Sequence, residues 1–191
     1  MTHPIPLRRL DLLAGLALCA LSPVAALAQA DYPTRPITIV VGYPPGGSTD
    51  LTGRTVAAEL SKKLGVPVVI ENVGGAGGAI GAQKVINAAP DGYTLLVGAN
   101  NEIAISRLVS ASVKYTLQDF TPLGLIASQP MVLVASTKSG VKDVDQFMRL
   151  VKSNPGKYSY GSSGVGTALH LAGEMVKEQG GLFMTHIPYR G

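Results

Sequence analysis

Ile37-Thr38-Ile39-Val40-Val41-Gly42-Tyr43-Pro44-Pro45-Gly46-Gly47-Ser48-Thr49-Asp50 is a β-branched run that meets a glycine and proline turn and then a set of helix-capping residues. An unbroken apolar run with turn signals behind it reads as a strand buried on both faces of a parallel sheet. After the turn, Ser48, Thr49 or Asp50 can cap a helix reaching to about Leu64, with Leu51, Val56, Leu60 and Leu64 at core spacing.

The same unit recurs downstream. A strand is expected over Pro67 to Ile70, a glycine turn at Gly74-Gly75-Ala76-Gly77-Gly78, and a helix from Ile80 to Ala89. Pro90-Asp91-Gly92 turns the chain into a third strand, Tyr93 to Val97, which ends at Gly98-Ala99-Asn100-Asn101. This alternation predicts an α/β layer around a parallel sheet. Right-handed crossovers place every glycine turn at the carboxyl ends of the strands, the edge at which open α/β sheets bind ligands. Further strands are expected at Leu123 to Ile126 and Met131 to Ala135, and a helix at Val144 to Lys152. Tyr158-Ser159-Tyr160 is a short strand entering Gly161-Ser162-Ser163-Gly164-Val165-Gly166-Thr167; a helix from about Thr167 to Glu178 and a strand from Met184 to Ile187 follow.

The N-terminus reads as a cleavable export signal. A basic head ends in Arg8-Arg9, Leu12 to Ala28 is apolar, and small residues at Ala28 and Ala30 offer cleavage sites. A membrane anchor is the poorer reading, because a spanning helix needs about 20 apolar residues and Pro23 interrupts this run. Arg8-Arg9 leaves the choice between the general and the twin-arginine export routes open. The one cysteine of the 191 residues, Cys19, lies inside the signal, preceded by Leu18 where a lipoprotein would want a small residue. The mature chain therefore offers no disulfide, thiolate or cysteine metal site. Its length is that of about one domain. With 46% hydrophobic residues a core is within reach, while 5% aromatics and a scattered +4 charge argue against nucleic acid.

The glycine loops fail each nucleotide motif. G-x-G-x-x-G would need glycine at Ile80 or Leu169; a Walker loop breaks at Tyr158 after Gly156-Lys157; the nucleophile elbow breaks at Val165. Only His170 and His186 remain for histidine chemistry, the first as a rim or structural residue, the second as a structural one. Asp143 and Asp145 suit a helix start. No cofactor or metal is called for. What remains is anion binding: glycine turns at helix starts expose N–H groups to a favourable dipole, with hydroxyls from Ser48, Thr49, Ser162, Ser163 and Thr167 beside them.

Six blocks together resemble the tripartite tricarboxylate transporter receptors, also called the Bordetella uptake gene receptors. They are Tyr32-Pro33-x-Arg35-Pro36-Ile37, Val40-x-Gly42-Tyr43-Pro44-Pro45-Gly46-Gly47-x-x-Asp50, Glu71-Asn72-x-Gly74-Gly75-Ala76-Gly77-Gly78-x-Ile80-Gly81, Ala89-Pro90-Asp91-Gly92-Tyr93-Thr94-Leu95, Gly161-Ser162-Ser163-Gly164-x-Gly166-x-x-x-His170-Leu171 and His186-x-Pro188-Tyr189-x-Gly191. The resemblance implies a type II periplasmic-binding-protein fold of two α/β lobes with mainly parallel sheets. It also implies a monomer that closes on a small carboxylate, a di- or tricarboxylate or an aromatic acid, and delivers it to membrane permease subunits. The expected organisation is a signal at 1–30, a first lobe at 31–128 and a second at 129–191. Family members run longer, and the Pro188-Tyr189 motif normally lies mid-chain, so the second lobe is expected to be incomplete here. The ligand-binding candidates are Tyr43, Pro44, Pro45, Gly46, Gly47, Ser48, Asp50, Asn100, Ser162, Ser163, Gly164, Val165, Gly166, Thr167 and His170. Two rivals stand beside this receptor: an exported serine hydrolase using Ser162 or Ser163 with His170, and a sensor that presents its ligand to a signalling protein.

Overall fold

Strand β1 (Ile37–Val41) is the middle of a three-stranded parallel sheet, between β2 (Val68–Asn72) and β3 (Thr94–Val97). The computed structural model describes residues 31–190; the export signal read at 1–30 lies outside the described residues. In register, Ile37 lies beside Val68 and Val41 beside both Asn72 and Val97. Ile37, Ile39, Val40 and Val41 are wholly buried, which is why this strand is apolar at successive rather than alternate positions.

The two faces of the sheet carry different helices. Ile39, Val41, Leu95 and Val97 pack with Ala57 and Leu60 of helix α1 (Ser48–Leu64). On the other face, Leu96 packs with Ala79, Ala82 and Ile86 of helix α2 (Ala79–Ile86) and with Tyr115 and Phe120. Odd and even residues of β3 separate as the pleat requires. Helix α1 presents Asp50, Gly53 and Ala57 inward; of the expected stripe Leu60 packs on the core, while Leu51 is two-thirds exposed. A side chain at Gly53 would stand 3.2 Å from Val41, so the helix lies too close to the sheet for larger residues on that face. From Pro33 onward the chain forms one compact unit.

After β3, a π-helical turn (Asn101–Ile105) leads into the short helix α3 (Ser106–Val109). Helix α4 (Val144–Lys152) is capped by Asp143, whose carboxylate accepts the Gln146 N–H at 2.7 Å. Strand β4 (Ser159–Ser162), helix α5 (Ala168–Gly180) and strand β5 (Thr185–Pro188) make a second parallel pair, Tyr160 lying beside His186. Val151, Leu182 and Met184 form its core with Phe147, Tyr158 and Tyr160.

The strands expected at Leu123 to Ile126 and Met131 to Ala135 do not form: residues 121–136 run without regular structure. A strand needs a ladder partner as well as apolar side chains, and among the described residues none pairs with this stretch. Leu125 is 88% exposed and Val134 81%. No helix among the described residues is long and apolar enough to cross a membrane.

Candidate functional site

The loops after β1, β2, β3 and β4 meet at the carboxyl edge of the strands, and main-chain contact sets how closely. A side chain added at Gly42 would sit 2.8 Å from the Gly78 Cα and 2.9 Å from its carbonyl; one at Gly81 would sit 2.9 Å from the Gly42 Cα. The turns after β1 and β2 thus touch backbone to backbone. The fourth loop lies against the segments after β2 and β3, with Gly77 facing the Thr167 methyl and Gly166 facing Val109 of α3.

Asp50 holds the first turn in shape. It is 2% exposed, and its carboxylate accepts from Gly46 N–H at 2.9 Å, Arg54 Nε at 2.9 Å and Asn72 Nδ2 at 2.8 Å. The Arg54 hydrogen bond, then the Gly46 and Asn72 bonds, hold its carboxyl well below the usual carboxylate range. Gly47, not Ser48, Thr49 or Asp50, is the N-cap of α1, with no side-chain cap bond. Asp50 is committed to its own loop, while Pro44, Pro45, Gly46, Gly47 and Ser48 are exposed around the first turn of α1.

Tyr43 also faces inward. Its hydroxyl donates to Glu102 Oε2 at 2.6 Å, lies 3.1 Å from the Gly77 carbonyl and accepts from Asn101 Nδ2 at 2.9 Å. Burial and the neighbouring Glu102 carboxylate push the phenol far above its ordinary range. Glu102 is fully buried, and desolvation raises its carboxyl despite the hydrogen bonds from Tyr43 and Ala99 N–H. Asn101 and Glu102 were missed as site residues although the sequence carries a signal for them: a polar run, Asn100-Asn101-Glu102, directly behind a buried parallel strand. Asn100, the residue chosen there, is exposed.

In the fourth loop Thr167 is fully buried and caps α5, its Oγ1 facing the His170 N–H at 3.4 Å and donating to the Gly164 carbonyl at 2.8 Å. Ser163 Oγ bonds Thr167 Oγ1 at 3.2 Å, and Gly166 N–H donates to His170 Nδ1 at 3.0 Å. Gly166 is buried, Ser163, Gly164 and His170 half-buried, and Val165 exposed. Ser162 pairs with His186 rather than His170, Oγ to Nε2 at 2.7 Å, and also accepts the Gly164 N–H at 3.1 Å. At 7% exposure Ser162 braces this turn. His186 stacks on His170 at 4.0 Å and on Tyr160 at 4.9 Å.

Burial first, then the His170 ring, hold the His186 imidazole below its ordinary 6.5. As pH falls, the unfolded chain therefore binds a proton before the folded one does. The His186 contribution to stability is complete above about 6.5 and is lost on acidification below it. His186 is expected to pull the melting temperature down between about pH 7.5 and 5.5, and His186→Phe to remove that part of the slope; parallel slopes in differential scanning calorimetry would contradict it.

Among the described residues no group of three or more histidine, cysteine or carboxylate side chains could hold a metal ion. The site is built of glycine turns, helix starts and buried polar braces.

The chain has known relatives. The profile of the tripartite tricarboxylate transporter family receptor matches residues 52–191. The chain is 40% identical over 182 residues to a UPF0065 protein of Bordetella pertussis, covering 95% of this chain and 56% of that one. It is 37% identical to the BugT protein of the same organism over 175 residues, 90% of this chain and 54% of the other. Among solved structures, R. palustris Rpa4515 with adipate superposes with a TM-score of 0.81 at 36% identity. MatC of Rhodopseudomonas palustris with bound malate gives 0.76 at 33%; both alignments cover 84% of this chain and 54–55% of the other. The chain thus spans about half the length of the relatives it matches, with their α/β fold of parallel sheets. On the family profile and these relatives together, the chain belongs to the tripartite tricarboxylate transporter receptor family.

Proposed function

We propose that this chain is the ligand-gripping part of a periplasmic receptor that captures a small carboxylate for a tripartite transporter. The observation that carries the reading is that the glycine turns after β1 and β4 each lead into a helix start, a setting that favours a negative charge, and are linked through Asn101. Relatives of the same fold hold adipate and malate, which supports a dicarboxylate as the ligand class. The exposed rim at Pro44 to Ser48, with Asn100, Ser163, Gly164 and Val165, is the surface assigned to the ligand. Tyr43, Asp50, Ser162, Gly166, Thr167 and His170 shape that surface from behind. The same reading has the signal removed near Ala28 or Ala30, lobes dividing near residue 128, a monomeric receptor and permease subunits as the membrane partner.

The family and fold are those of solute-binding receptors rather than enzymes. The serine hydrolase rival has the Ser162 Oγ–His186 Nε2 contact at 2.7 Å to build on, but that serine is 7% exposed and its hydroxyl is also tied to Gly164 in its own turn.

Thermal unfolding in the presence of mono-, di- and tricarboxylates and aromatic acids tests the proposal. At about 100 times Kd a ligand adds about 2.7 kcal/mol, a rise of roughly 5–10 °C for a chain of this size. Stabilisation by a carboxylate without turnover is the expected result. No stabilisation across the panel, or turnover lost in Ser162→Ala or Ser163→Ala, would overturn it.

A further inference from the structure

The loop after β3 joins the two halves of the site through one side chain. Asn101 is 9% exposed; its Nδ2 donates to Tyr43 Oη at 2.9 Å, and its Oδ1 accepts the Ala168 N–H at 2.8 Å. Ala168 is the first residue of α5, so its N–H has no acceptor within its own helix. The Tyr43 hydroxyl donates in turn to Glu102 at 2.6 Å, and Glu102 is anchored by Ala99 N–H at 2.8 Å. Because the tyrosine gives its single proton away, it presents lone pairs to Asn101. The amide then turns its NH2 toward Tyr43 and its oxygen toward Ala168.

We propose that Asn101 is a positioning residue that couples the two ligand loops, through a directional chain running Glu102, Tyr43, Asn101, Ala168. The proposal deepens the receptor reading and rests on it for its use, though not for its test. Tyr43 opens the loop that carries Pro44 to Ser48, and Ala168 closes the loop that carries Ser163 to Thr167. A ligand drawing on one loop moves a group hydrogen-bonded, through Asn101, to the other. The π-helical turn sets this up: Asn101 and Glu102 are adjacent in sequence and both buried, facing two partners on the same side.

Hydrogen exchange at the Ala168 amide in the ligand-free chain, taken as a ratio to β1 amides, reads the chain of bonds directly. Asn101→Ala is expected to raise that ratio about 10-fold. Tyr43→Phe, which touches Asn101 and not Ala168, is expected to raise it several-fold, an effect that a purely local structural role for Asn101 would not give. Asn101→Asp keeps an acceptor for Ala168 and is expected to preserve the ratio even where overall stability falls. An unchanged ratio in either Asn101→Ala or Tyr43→Phe overturns the proposal, and so does loss of protection in Asn101→Asp equal to that in Asn101→Ala. Titration with adipate and malate runs alongside: if the wild-type chain binds neither, the carboxylate reading fails, while the exchange ratio alone decides the coupling.

Discussion

Gly42→Ala is expected to be the most damaging single change at the carboxyl edge of the strands, lowering the melting temperature by roughly 6–12 °C. The new methyl would stand 2.8 Å from the Gly78 Cα and 2.9 Å from its carbonyl oxygen. Both are backbone, so no rotamer change relieves the overlap, and one of the two turns has to move. Overpacking costs about 1–3 kcal/mol and occasionally more, with an overlap of backbone on backbone at the upper end, against a total stability of roughly 5–15 kcal/mol for a domain. Displacing Gly78 also disturbs Glu102, since the Gly78 Cα faces that carboxylate and the Tyr43 hydroxyl. Gly124→Ala is the matching control: its methyl meets nothing within 4 Å. Calorimetry of the two variants beside the wild type checks the claim, and equal melting temperatures would refute it.

Asp50→Ala is expected to come next, with a fall of roughly 5–10 °C and loss of carboxylate binding. It strips the acceptor from Gly46 N–H, Arg54 and Asn72 at once and leaves those donors facing a gap. The Pro44–Gly47 turn then loses the side chain that holds Gly46 N–H. Asp50 is ionised in the fold well below its ordinary 3.8, so its contribution is intact above that value and is lost only as pH falls below it. Of these two groups His186 is the one that acts near neutral pH, whereas the Asp50 effect is constant from about pH 5 upward. A melting temperature for Asp50→Ala within about 2 °C of wild type, by the same calorimetry, would contradict the assigned role.

Much of the fold was legible because its signals are local. The Ile37–Val41 run is apolar at successive positions because β1 has a neighbour on each side and a helix on each face, and sequence reading needs only the run to infer this. Helix α4 matched its expected span, Val144–Lys152, since Asp143 and Asn154-Pro155-Gly156 mark both ends. The stretch over 121–136 was misread because apolar composition says nothing about whether a partner strand is present.

The candidate site divides in the same way. Glycine turns mark where a ligand edge lies, but not which polar side chains face it. Asp50 looked like a cap or a ligand group and is a brace, because Arg54 and Asn72 reach it from one helical turn away and from another strand. Ser162 finds His186 through the pairing of β4 with β5, 24 residues along the chain, so neighbouring residues pointed to His170 instead. Asn101 and Glu102 acquire their partners, Ala168 and Tyr43, only when separate loops meet.

The backbone contact between Gly42 and Gly78 has a thermodynamic side as well. A site lined by long side chains must freeze rotamers when its ligand arrives, at about 0.5–1.5 kcal/mol each. Here the turns are already ordered by folding, and main-chain donors have no rotamers to lose. On the proposed carboxylate reading, an incoming anion would meet amides whose entropy has already been surrendered, and its affinity would depend on charge and fit more than on how well it can organise the protein around it.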